Sequence, residues 1–324
     1  MDVRPHSGIR MTKVIVNDDG SNSFRKGSTL ILCCVAGFNI PDTYAMKNIL
    51  VPIDFSVYSM SAAKTAVALA SKSGGNIHLL HLTDIPVGWS QQSVADQQEY
   101  PKLEGRLVEA NIKIEKFAKQ AFLKNCNVVT HVQGGVAFEQ IPLFAKRNNI
   151  NLIVMGVHGA GESDGKFIGS TAQRVLRTAP CPVLGVKKDY NLGALKKILF
   201  ASDYVEDVGP AVNALKNLAN DFGANIDLAY INTPGHFVDD STMESRMEKF
   251  VIIQNKVKFH RVIQNSNEKV EGIIECAKKR NANLIAMVTH MRALKASYLV
   301  SVTENVLFHS TVPVLSFITH QSRH

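Results

Sequence analysis

Apolar residues in this chain fall into short runs separated by amphipathic stretches, and the alternation predicts strands and helices in turn. Residues 49–53 form an apolar run closed by Asp54, short enough for a strand buried on both faces. Ser56 stands where a helix cap belongs. Ala62, Ala63, Ala66, Val67, Leu69 and Ala70 then recur at helical spacing until Gly74-Gly75 ends the pattern. The same reading gives strands over 77–82, 128–132, 152–155 and 182–186, with helices over 97–123, 137–148 and 171–178. Strands alternating with helices at this spacing predict an α/β domain, its sheet parallel and covered on both faces through right-handed crossovers.

The unit is then written a second time. Residues 196–203 (KKILFASD) repeat 47–54 (KNILVPID), and 223–231 (GANIDLAYI) repeat 74–82 (GGNIHLLHL). Residues 283–287 (NLIAM) repeat 151–155 (NLIVM), and 312–315 (VPVL) repeat 181–184 (CPVL). The spacing falls from 149, between Asp54 and Asp203, to 132, between Asn151 and Asn283, so the second copy is shorter in its middle. The chain therefore divides into domains over 46–188 and 194–324, joined by a short linker. Residues 1–45 read differently, with a polar, turn-rich stretch at 17–23. They are expected to be an extension upstream of Met46, which would itself be the initiator.

Composition narrows the function classes. The 324 residues carry a net charge of +8, but the 36 basic side chains are interspersed with 28 acidic ones along predicted helices, as on solvated helix faces. Neither a nucleic-acid nor a membrane partner is expected. The five cysteines are odd in number, irregular in spacing and free of Cys-x-x-Cys, which fits a reducing compartment and argues against a disulfide framework. The 11 histidines show no metal-ligand spacing, so no metal site is predicted. No apolar run reaches the roughly 18–20 residues that span a bilayer. A cytoplasmic location follows as the expectation.

The chemistry gathers after the fourth strand. Gly156-Val157-His158-Gly159 ends an apolar run, and Gly169-Ser170-Thr171 opens a helical pattern. Glycines let a backbone approach an anion, and a helix N-terminus offers unpaired N–H groups to it. On spacing alone this is either a phosphate site or a plain strand–loop–helix connection.

Taken together, these residues resemble the universal stress protein family. The strand Ile49-Leu50-Val51-Pro52-Ile53-Asp54 followed by Phe55-Ser56, a second strand ending Leu79-Leu80-His81, and Gly156, Gly159, Gly169 and Ser170 at the spacing Gly-x2-Gly-x9-Gly-(Ser/Thr) carry the likeness. The resemblance implies a doubly wound five-stranded sheet in each domain, order 3-2-1-4-5, of the adenine nucleotide alpha hydrolase type, with ATP and its magnesium at the carboxyl ends of the strands. Asp54 and the backbone near Pro52 would meet adenine and ribose, and Leu82 the base. Met155 and Gly156 would lie beside ribose and α-phosphate, with Gly159, Gly169, Ser170 and Thr171 around the phosphates. From the residues alone, Asp54 could instead cap the helix that follows. His158 is matched by His290 in the second copy without the glycines, and a structural role is expected for both. His81 is expected to be packed.

The second copy departs from the motif: Val288 replaces Gly156, Met291 replaces Gly159, Val300-Ser301 replaces Gly169-Ser170, and Ala201 replaces Pro52, although Asp203 remains. Side chains at 288 and 291 would take space that phosphates need, so no ATP is expected there. The family resemblance further implies that the fifth strands of two domains associate, giving an intramolecular pseudo-dimer and allowing a homodimer. The function expected is a stress-response regulator that holds ATP in its first domain. A slow ATPase or self-phosphorylating enzyme and a nucleotide-free interaction module are the alternatives. No Walker lysine or positioned base is apparent, and no catalytic residue is assigned.

Overall fold

The computed structural model describes residues 46–89, 93, 100–158, 169–190, 192–205, 208–251, 257–290 and 301–319. The extension 1–45, Gly159, Met291, the loop 292–299 and Val300 lie outside the described residues.

The first half runs β1 (Asn48–Pro52), α1 (Val57–Ser73), β2 (Asn76–Thr83), α2 (Pro101–Ala118), β3 (Asn127–Gly134), α3 (Ala137–Arg147), β4 (Leu152–Gly156), α4 (Ser170–Thr178) and β5 (Val183–Val186). The second runs β6 (Lys197–Ala201), α5 (Gly209–Phe222), β7 (Asn225–Asn232), α6 (Asp240–Glu248), β8 (Phe259–Asn265), α7 (Lys269–Lys279), β9 (Leu284–His290), α8 (Val302–His309) and β10 (Val314–Thr319). The long helix expected to 123 stops at Ala118, and a separate 3-10 turn covers Ala121–Leu123. Pro101 fixes its start, since proline is tolerated only in a helix's first turn.

The strands form one ten-stranded sheet, β3-β2-β1-β4-β5-β10-β9-β6-β7-β8. Each half keeps the expected order, and the two join where β5 and β10 pair antiparallel, Leu184 opposite Leu315. All other pairings are parallel.

Alternation along the strands feeds two cores. Ile49 and Val51 join α1, α2, α5 and α6 on one face of the sheet, while Leu50 joins α3, α4, α7 and α8 on the other. Ile49, Leu50 and Val51 are fully buried, each contributing roughly 1.5–3 kcal/mol by leaving water. Both cores run through both halves, so the sheet is one packed unit from β1 to β10.

The halves differ at the first crossover helix. Both α1 and α5 end in a glycine with positive φ, Gly74 at 65° and Gly223 at 64°. Yet α5 starts at Gly209, three residues later than the position matching Val57. Pro210 explains this: it matches Ser61, inside α1, and a proline there confines the helix start to its own neighbourhood.

Candidate functional site

At the carboxyl ends of β1, β2 and β4 lies a cleft of about 310 Å³. Pro52 and Asp54 enter it from β1, Leu82 from β2, and Met155 and Gly156 from β4. Gly169, Ser170 and Thr171 close it from the start of α4. Eight of the nine residues singled out by sequence thus surround one cavity, and the ninth, Gly159, lies outside the described residues.

The start of α4 sets the electrostatics. Gly169 holds φ 97°, a region that favours glycine, and it offers no side chain to cap the helix. The first N–H groups of α4, on Ser170, Thr171 and Ala172, are beyond the reach of intrahelical acceptors, and these residues line the cleft. In contrast, α1 is capped by Ser56, whose Oγ accepts from the Ser59 N–H at 3.2 Å, and α8 by Ser301, whose Oγ accepts from the Glu304 N–H at 3.1 Å. Uncapped N–H groups at the positive end of a helix are donors for an anion.

Asp54 forms its own turn. Its Oδ1 accepts the Ser56 N–H at 3.0 Å, so Ser56 rather than Asp54 caps α1. Burial pushes the Asp54 carboxyl up, but hydrogen bonds from Ser56 and Ser59 outweigh it and leave the group below its ordinary value. The next residue, Phe55, sits at φ 64°, and Tyr204 after Asp203 repeats this at 56°. Such a conformation costs a non-glycine residue about 1–2 kcal/mol. Packing retains it: the Phe55 ring lies 4.6 Å from His81 and 6.2 Å from Phe117. His81 in turn binds the Ile53 carbonyl at 2.7 Å, so it is engaged in holding the turn.

Gly156 is a glycine for a reason the sequence reading did not supply. A Cβ there would run into the backbone of Tyr58 in the first turn of α1, so position 156 faces the helix as well as the cleft. Val288 stands at the same place in the second half, where it lines a matching cleft.

Sequence reasoning also missed Tyr58 and Lys187. The Tyr58 ring packs 4.1 Å from His158 over the cleft. Lys187, 7% exposed, donates through Nζ to the His158 carbonyl at 3.1 Å and the Phe308 carbonyl at 3.0 Å. No motif signals Lys187; only the meeting of β5 with α8 brings its partners together.

A matching cleft of about 240 Å³ lies in the second half, lined by Asp203, Ile231, Lys269, Ile273 and Met287 among others. Among the described residues no group of three or more His, Cys, Asp or Glu side chains could hold a metal, and no helix is long and apolar enough to cross a membrane.

The model of the universal stress protein family matches residues 46–187 and again 194–317. The chain is 33% identical over 148 residues to a universal stress protein of Methanocaldococcus jannaschii, covering 44% of this chain and 82% of the relative. It is 24% identical over 294 residues to one of Synechocystis, covering 84% of this chain and 100% of the relative. The crystal structure of a universal stress protein from Archaeoglobus fulgidus shares the fold, with a TM-score of 0.67 at 19% identity over 84% of this chain and 98% of that one.

Proposed function

The chain belongs to the universal stress protein family, and we propose that its first half holds ATP and acts as a nucleotide-dependent regulator of a stress response. The observation that carries this reading is the uncapped start of α4, opening into a cleft that Leu80, Leu82, Ile141 and Met155 also line. Asp54 accepts from the ribose hydroxyls, with the backbone near Pro52 and the Leu82 side chain against the base. Met155 and Gly156 border ribose and α-phosphate. Gly159, Gly169, Ser170 and Thr171 donate to the phosphates, and magnesium rides on the phosphates themselves.

The site holds rather than hydrolyses. Asp54 is the one carboxylate among the described lining residues, and a carboxyl held low is a weak general base. The pairing of β5 with β10 supports reading the two halves as an intramolecular pseudo-dimer, with a homodimer of chains as a further level. The site of action is the cytoplasm, consistent with free Cys126, Cys181 and Cys276.

Equilibrium titration of the full chain with magnesium-ATP tests this. One site per chain is expected, weakened about tenfold by Asp54→Asn, which removes a charged acceptor. Absence of saturable binding by the wild type overturns the reading.

A further inference from the structure

The second cleft keeps the walls of the first. Asp203 stands for Asp54 and accepts the Val205 N–H at 3.2 Å, as Asp54 accepts that of Ser56. Ile231 stands for Leu82, Ile273 for Ile141 and Met287 for Met155, all lining their respective clefts. The changes that bear on a ligand lie at opposite rims. At the β9 rim, Ser301 caps α8 with its own side chain, accepting the Glu304 N–H, and Val288 lines the cleft where the first half has Gly156. That rim therefore suits a polyphosphate less: one first-turn N–H is already taken, and a side chain stands where the first half has a glycine. At the β7 rim a cation arrives: Lys269, first residue of α7, lines the cleft where the first half has Ala137. Lys269 has no hydrogen bond or ion pair among the described residues, so its ammonium remains available to a ligand.

We propose that the second cleft is a separate nucleoside site, selective for a 6-oxopurine nucleoside of the guanosine type without its phosphates. The proposal rests on reading the first cleft as a nucleotide site, because the shared walls are what make the second nucleoside-shaped. Asp203 takes the ribose hydroxyls, and the ring lies between Ile231, Ile273 and Met287. Its far edge meets Lys269. The guanine edge presents two acceptors, O6 and N7, that a lysine ammonium satisfies, whereas adenine presents an amino donor beside N7. In the first half, Ala137 leaves that edge without a cation. The smaller volume, about 240 Å³ against about 310 Å³, fits the shorter ligand.

Met155 and Met287 line the two clefts, so each reports on one of them. The full chain is labelled with carbon-13 at its methionine methyls, the two signals are assigned through Met155→Leu and Met287→Leu, and guanosine, adenosine and ATP are titrated separately. Guanosine is expected to shift Met287 saturably, about tenfold more tightly than adenosine does. Lys269→Ala, on a partly exposed helix start, is expected to remove that preference while the remaining methyl signals stay in place. The proposal is overturned if guanosine leaves Met287 unmoved up to about 1 mM, if adenosine binds there as tightly, or if Lys269→Ala leaves the preference intact. ATP failing to shift Met155 defeats the first-half reading instead, and the two failures are read from different signals.

Discussion

Arg177 and Glu304 form a two-pronged ion pair between the halves. The guanidinium Nε of Arg177 donates to Oε1 of Glu304 at 2.6 Å and its Nη2 donates to Oε2 at 2.8 Å. Gln173 adds a third donor to Oε2 at 2.7 Å. The Glu304 side chain is 2% exposed and that of Arg177 24%, so the burial is lopsided.

That lopsidedness predicts an asymmetric response. Arg177→Met strands a buried carboxylate and is expected to cost about 3 kcal/mol, whereas Glu304→Gln leaves a cation that can reach water and costs about 1–2 kcal/mol. Denaturant unfolding of the full chain measures both. Equal losses would show that the buried end does not govern the pair.

Two glycines of the first cleft resist substitution for different reasons. In Gly156→Ala a methyl meets the Tyr58 backbone, and a loss of about 1–3 kcal/mol is expected as the first turn of α1 shifts. In Gly169→Ala the methyl meets only His158 at 4.0 Å, but φ 97° costs about 1–3 kcal/mol. Proton exchange at the Val57–Ser59 amides separates the cases: it should quicken in the first variant and stay unchanged in the second.

Lys187 ties the end of β4 to α8. Lys187→Met removes the donor from two carbonyls and is expected to cost about 1–3 kcal/mol, with ATP affinity falling several-fold because the His158 carbonyl precedes the glycine loop. Calorimetric titration against wild type checks this. An unchanged affinity would confine Lys187 to stability alone.

His78 and His131 give a pH signature. Their rings stack at 17° with His78 Nδ1 and His131 Nε2 3.1 Å apart. Burial pushes both below the usual 6.5, and His131 is lowered further by His78. The folded chain thus binds these protons later than the unfolded one does. Their contribution is complete above about 6.5 and lost as pH falls through the lowered folded values. His131→Gln should flatten the stability curve between pH 7 and 5; a slope matching wild type would remove the pair from the account.

The alternation of strands and helices was legible because periodicity is a local signal, while the strand order and the gathering of Asp54, Gly156 and Ser170 at one end followed from the family resemblance that those residues carry. The repeat made the second half legible as well. What escaped depends on approach in space. That Gly156 also leaves room for Tyr58 cannot be read from its spacing, and the left-handed Phe55 and Tyr204 carry no residue-type signal. Pro210 was a visible sign that α5 starts late. Lys187 and Glu304 look like surface charges in sequence, and only the β5–β10 pairing buries them.

Because β5 and β10 run antiparallel, the carboxyl ends of the two halves open toward opposite ends of the sheet. The helix α8 lies between them: its Ser301 cap borders the second cleft, and the Phe308 carbonyl near its other end is held with that of His158 at the first. Eight residues at 1.5 Å each make a strut of about 12 Å. A rigid-body slide of that one helix by a fraction of an ångström would alter both mouths at once, so the chain has the anatomy of a lever with a cleft at each end.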